Sequence, residues 1–141
     1  MRTCASEVPD VQAVPPAHHH DGPVIVTTLR SDDVLAHARF LTDVLGLTPG
    51  HVSEGHAELF WGGGALMLGP RRADDAWDTG RAVTYLVLDD PDAHHARVVA
   101  AGGEVVSALT DQPYGSREFA VADAEGNRWV FGTYRPVPPA S

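Results

Sequence analysis

From Pro23 onward the chain switches between two hydrophobic periods. Val24 to Leu29 is rich in β-branched residues and reads as a strand. Val34, Ala38, Leu41 and Leu45 then recur at helical spacing, with Asp33 as the capping residue before them and Gly46 suited to the left-handed position after them. Three short apolar stretches follow, His51 to Ser53, His56 to Trp61 and Ala65 to Leu68, separated by glycine turns. The order of elements is βαβββ. After a polar stretch from Pro70 to Gly80 it repeats: a strand over Ala82 to Leu88, a helix from Pro91 to Ala101, and strands at Glu104 to Ser107, Arg117 to Ala122 and Arg128 to Thr133. Asp90 before Pro91 is a strong helix start, since a capping carboxylate precedes a residue that tolerates the first turn.

The two halves match residue by residue at their closing strands. Gly126 to Gly132 lies over Gly63 to Gly69, so that each half ends in a turn, an apolar strand and a glycine. Asp33 to Gly46 resembles Asp90 to Gly102 in the same way. A duplicated unit of about fifty residues buries too little apolar surface to stand alone, so the two copies are expected to share one core. The predicted organisation is a single α+β domain over residues 23–136, with units at about 23–69 and 81–135. Residues 1–22, with three prolines and the run His18, His19, His20, read as a mobile tail, and 137–141 as a second, short one.

Composition narrows the function classes. The formal charge is −9, and the ten basic side chains form no run, which argues against a nucleic-acid partner. An acidic surface suits a neutral or cationic small molecule better than a polyanion. No stretch is apolar and long enough to span a bilayer, no secretion signal is visible, and the single cysteine, Cys4, has no partner for an internal disulfide. A cytoplasmic protein without membrane contact is expected.

The tandem βαβββ order and the closing run TyrGlySerArg (114–117), AspAlaGluGlyAsn (123–127) and TrpValPheGly (129–132) resemble the vicinal oxygen chelate superfamily, which includes glyoxalases, extradiol dioxygenases and bleomycin-resistance proteins. The resemblance covers residues 23–136. It implies two curved sheets set side by side around a cavity, helices on their convex faces, and a homodimer. In metal-using members the ligands come from the first and last strands of each unit. The resemblance puts those positions at Val26, Met67, Val83 and Val130, which are all apolar. A divalent ion needs imidazole nitrogens or carboxylate oxygens, so the expectation is a protein with no metal and no other cofactor.

Strand alternation divides each strand between a cavity face and a helix face. Val83 and Tyr85, Met67, and Arg128 and Val130 fall on the cavity side; Leu66, Leu68, Trp129 and Phe131 fall on the helix side. His56, Glu58 and Phe60 share one face of their strand. A carboxylate two residues from an imidazole can orient it as an acid or base, or simply hydrogen-bond to it. Tyr114 and Arg117 lie before the penultimate strand, placed either to touch a ligand or to build a turn on Gly115 with Arg117 paired to a carboxylate. His37, His94 and His95 read as exposed residues of the covering helices. The expected ligand-binding set is therefore Phe60, Met67, Val83, Tyr85, Tyr114, Arg117, Arg128 and Val130, with His56 and Glu58 as the acid–base pair.

Three functions fit this pattern. The first is metal-independent sequestration of an aromatic or apolar antibiotic or metabolite, as in bleomycin-resistance proteins. The second is a metal-free isomerase, cyclase or lyase acting on a secondary metabolite in the same cavity. The third is a metal-dependent glyoxalase or dioxygenase, with an ion held unconventionally by His51, His56 and Glu58.

Overall fold

The computed structural model describes residues 23–139. The expected tail at 1–22, with its histidine run and Cys4, lies outside the described residues, as do the last two residues of the C-terminal tail. The elements run β1 (Val26–Ser31), α1 (Val34–Asp43), β2 (Thr48–Val52), β3 (Ala57–Trp61), β4 (Gly64–Pro70), β5 (Val83–Val87), α2 (Pro91–Ala100), β6 (Glu104–Asp111), β7 (Arg117–Ala122) and β8 (Arg128–Gly132). They form two four-stranded sheets of identical topology, β1-β4-β3-β2 and β5-β8-β7-β6. In each, the first strand runs parallel to the last and the other pairs are antiparallel.

Local chemistry explains the boundaries. The Asp33 carboxylate accepts the Ala36 amide at 3.0 Å and the Asp90 carboxylate accepts the Ala93 amide at 3.0 Å, so both helices start on an acidic cap. Gly46 and Gly102, at φ 91° and 90°, take the left-handed turns that follow the two helices. β2 begins at Thr48 rather than His51, taking in Pro49 and Gly50. Pro49 is tolerated because β2 is an edge strand, exposed along its length, whose outer side needs no donor. β6 likewise runs on to Asp111, through two register shifts.

The units meet through their helix-bearing faces. Leu41, Leu45, Leu59 and Leu68 of the first unit and Val98, Phe119, Val121, Trp129 and Phe131 of the second are buried in one cluster. Trp61 crosses between them: its ring lies 5.6 Å from Phe131 and 5.4 Å from His94, and its indole N–H donates to the Val87 carbonyl at 2.8 Å. His94 donates from Nε2 to the Leu45 carbonyl at 2.8 Å. The polar stretch after β4 is fastened rather than loose. Arg71 binds Asp78, Glu125 and Asp32 at 2.7, 2.7 and 3.0 Å.

The expectation that His37, His94 and His95 lie on the surface is corrected here: His37 is buried and the other two are half-buried. His37 is 5% exposed and sits between Ser31 Oγ, 2.6 Å from Nδ1, and Asp123 Oδ2, 2.8 Å from Nε2. Helical spacing marked Val34, Ala38 and Leu41 as inward, and His37 shares that stripe. Its imidazole is held inside by Asp123, a partner far away in sequence that no local pattern reveals. Asp123 also accepts from the Trp129 indole at 2.9 Å, the Asn127 side chain at 3.0 Å, and the backbone amides of Glu125 and Asn127 at 2.9 Å each. Burial raises its pKa, yet these donors outweigh burial and hold the carboxyl far below the usual range.

These groups set an acid limit on stability. Burial lowers the His94 pKa, so below about pH 6.5 the unfolded chain takes up this proton more readily than the native one. Stability is then complete above that pH and declines beneath it. Asp123 adds a second loss below about pH 4, where the unfolded carboxyl protonates and the native one resists. Urea denaturation from pH 7.5 to 3 is expected to show both declines; an unchanged midpoint between pH 7 and 5 would contradict the role of His94.

Candidate functional site

Because the helix-bearing faces pack together, the opposite, concave face of each sheet is left open to solvent. The resemblance led to the expectation of a cavity enclosed by the two sheets. In the single chain Val83 is 72% exposed, and Val26, Phe60 and Tyr85 are about two-fifths exposed, at 40, 38 and 37%. On the first sheet Glu58 pairs with Met67 and Phe60 with Ala65; on the second Val83 pairs with Arg128, Tyr85 with Val130, and Ala120 with Val130 from the other side. The second sheet thus presents an apolar floor with polar groups at its ends, whereas on the first Met67 lies between Thr28 and Glu58.

One polar group dominates the second face. The Glu118 carboxylate, 7% exposed, accepts the Tyr85 hydroxyl at 2.7 Å on one oxygen and the Tyr114 hydroxyl at 2.7 Å on the other. The Tyr85 oxygen also meets Ser116 Oγ at 3.0 Å and accepts the Tyr134 amide at 3.0 Å. Gly132, opposite Glu118, leaves the room: a Cβ there would strike the Tyr85 hydroxyl and the Glu118 side chain. Burial alone would raise the Glu118 pKa, and the hydrogen bonds from Tyr85, Tyr114 and Ser116 bring it below its ordinary value instead. In return the Tyr114 phenol is pushed up to about 12 by its bond to Glu118, and the Tyr85 phenol is raised by burial and by the same carboxylate. Both tyrosines are neutral donors, and Glu118 is an anion.

The other expected residues divide. His56 Nε2 lies 2.9 Å from Glu58 Oε2 with both side chains about two-fifths exposed, at 42 and 39%, so strand alternation does bring this pair together on the open face. His51 stands beside it, ring centres 5.9 Å apart. Arg117 is not on the concave face with the others. Its guanidinium binds Asp92 of α2 at 2.8 Å and Asp111 of β6 at 3.1 Å, which is the structural alternative for this residue. Arg128 is exposed at the far end of β8 from Glu118.

The resemblance puts the metal positions of other members at Val26, Met67, Val83 and Val130, and the register shows which side chains stand beside them. Directly across from Met67 stands Thr28, and across from Val130 stands Tyr85; Val26 and Val83 lie two residues earlier on the same faces. All four are aliphatic or thioether chains; of their neighbours, Thr28 offers a hydroxyl and Tyr85 a phenol already committed to Glu118. They do not fit a divalent ion, which needs imidazole or carboxylate donors. Among the described residues no group of three or more His, Cys, Asp or Glu side chains is placed to hold one.

Local pattern does not mark Glu118 or Tyr134 as site residues, and Ser116, which follows a glycine, lacks the strand-to-helix context of a nucleophile. Along β7 Glu118 faces away from Arg117, and its place across the sheet from Gly132 is the one signal that points to it. No pattern in the sequence ties Glu118 to Tyr114 and Tyr85, which come from three separate segments.

The model of the Glyoxalase/Bleomycin resistance protein/Dioxygenase superfamily matches residues 23–131. Among solved structures, TioX from Micromonospora sp. ML1 is 26% identical at a TM-score of 0.66, covering 81% of this chain and 100% of that one. The bleomycin-binding protein of Streptomyces verticillus, solved with copper(II)-bleomycin, is 25% identical at a TM-score of 0.58, covering 83% and 100%. A lactoylglutathione lyase from Agrobacterium tumefaciens shares the fold at 23% identity and a TM-score of 0.60, over 79% and 92% of the two chains. Uncharacterized proteins of Mycobacterium bovis and Mycobacterium tuberculosis are 44% identical over 54 residues, 38% of this chain and only 36% and 32% of theirs. With two repeated βαβββ units, matching sheet topology and the family model across both, the chain belongs to the glyoxalase/bleomycin resistance protein/dioxygenase superfamily.

Proposed function

We propose that this protein binds an aromatic or apolar small molecule, an antibiotic or a metabolite, against its concave faces without a metal ion, and that it does so as a homodimer. The observation that carries this reading is the open apolar floor: Val26, Phe60, Met67, Val83, Tyr85 and Val130 line the concave faces and are fully or partly exposed. Contiguous apolar surface of this kind marks a binding site or an interface. A two-fold dimer that sets the first sheet of each copy against the second sheet of the other would cover both and leave two equivalent cavities. The likeness to a bleomycin-binding protein supports sequestration over turnover.

Sedimentation equilibrium and calorimetric titration with a panel of aromatic compounds test both halves. The expected result is a dimer that binds one aromatic ligand per cavity; a monomer that binds none would end the proposal.

The hydrogen-bonded His56–Glu58 pair favours a second reading, a metal-free acid–base enzyme on the same face. His56→Ala separates the two: with any compound that turns over, it would abolish turnover and leave affinity within about threefold, whereas a pure binder shows no turnover in either form.

A further inference from the structure

A buried carboxylate normally has a cation beside it, because an isolated charge is costly to remove from water. Glu118 has none among the described residues. The hydrogen bonds that reach it come from neutral hydroxyls, those of Tyr85 and Tyr114 at 2.7 Å each, with Ser116 beside them. The nearby arginines are engaged elsewhere: Arg117 points to the other side of β7 and binds Asp92 and Asp111, and Arg135 pairs with Asp89. Arg128 is four residues along β8 from Gly132, the partner of Glu118, a separation of roughly 13 Å at strand spacing.

Aromatic rings stand around this charge. Tyr85 is 37% exposed, Tyr114 57% and Tyr134 52%, and the rings of Tyr114 and Tyr134 meet edge to face with centres 6.2 Å apart. The Tyr134 amide bonded to the Tyr85 hydroxyl draws all three into one cluster at the end of the second concave face. A phenol that donates to a carboxylate gains electron density, which deepens the negative potential over its ring, and the carboxylate adds its own charge at the hydroxyl ends of the rings. Exposed aromatic rings whose hydroxyl ends converge on an anion can hold an organic cation, by cation–π attraction and by Coulomb attraction. The acidic balance of the whole chain acts in the same direction.

We propose that Tyr85, Tyr114, Tyr134 and Glu118 form a subsite for an alkylammonium or guanidinium group, so that the ligand of this protein is a cationic aromatic compound rather than a neutral one. This rests on the reading of the concave face as the ligand site and deepens it. Glu118 supplies the charge, Tyr85 and Tyr114 fix that charge and present their rings, and Tyr134 closes one side. The apolar floor of Val83 and Val130 takes the remainder of the molecule.

Choline and 3,3-dimethylbutan-1-ol have nearly the same shape and differ in charge, which makes them the natural pair of probes. Titrated into the isotope-labelled full-length chain and followed by amide shifts at Tyr134 and Glu118, choline is expected to bind about tenfold more tightly than the alcohol. Glu118→Gln is expected to remove that preference, and Tyr114→Ala, which trims an exposed ring, to reduce it. Equal affinities in the wild-type chain would overturn the subsite. So would a preference that survives both substitutions, since it would come from the overall negative charge alone. A neutral aromatic probe, 2-naphthol, separates this from the broader reading. If 2-naphthol binds the concave face and choline shows no preference, the cation subsite falls by itself; if neither binds, the concave face is not the ligand site.

Discussion

Asp123→Asn is expected to destabilise the fold by about 3–5 kcal/mol, the range for breaking a buried, hydrogen-bonded charge. The substitution keeps the shape and changes one oxygen to an amide nitrogen. One Asp123 oxygen accepts from the Glu125 and Asn127 amides, and the other accepts from His37, Asn127 and Trp129. Either rotamer of asparagine therefore turns an N–H toward two or more donors, and buried donors left unpaired cost about 1–3 kcal/mol each. Because His37 belongs to α1 of the first unit and Trp129 to β8 of the second, this one carboxylate fastens the two repeats together. Thermal unfolding should fall by roughly 10–15 °C for a chain of this size. A loss under about 1 kcal/mol would mean that this carboxylate does little to hold the units together.

Met67→Glu is expected to weaken binding of a neutral aromatic ligand by at least about 100-fold, because a carboxylate in the apolar floor must be desolvated when the ligand covers it. Met67 is half-exposed and lies across from Glu58, so the added charge also meets an existing one at binding distance. Half-exposure makes the fold tolerant of the change, which circular dichroism would verify. Affinity within about threefold of wild type, with the fold intact, would remove the first sheet from the binding surface.

Much of this architecture is written in local pattern. Asp33, Gly46, Asp90, Pro91 and Gly102 mark the helix ends through capping chemistry that acts within four residues, and the structure places all of them where that chemistry requires. The match of Gly126–Gly132 to Gly63–Gly69 predicted two equivalent sheets, and the two strand orders are identical. Alternation also put His56 and Glu58 on one face, where they hydrogen-bond. What local pattern could not carry is the meeting of the halves. The direction in which the sheets face depends on Trp61 reaching Phe131 and His94, and on His37 reaching Asp123, contacts between residues far apart in the chain. For the same reason His37 looked exposed and Glu118 went unnoticed. A polar residue is assigned outward by composition, and only its distant partners show that it is held inside.

Arg117 shows the limit in the other direction. Its place before the penultimate strand allows either a ligand contact or a pairing with a carboxylate, and two acidic residues, Asp92 from α2 and Asp111 from β6, take up its guanidinium. Those bonds raise its pKa further and fasten α2 to the edge of the second sheet.

The decisive measurement is calorimetric titration of the metal-stripped full-length protein with an aromatic ligand in the presence of excess EDTA. Binding at unchanged affinity and stoichiometry is the result expected of a floor built from Met67, Val83, Tyr85 and Val130. Binding that vanishes in EDTA and returns with one equivalent of zinc, nickel, manganese or iron would show that an ion is needed after all, and would return the protein to the metal-dependent chemistry of its superfamily.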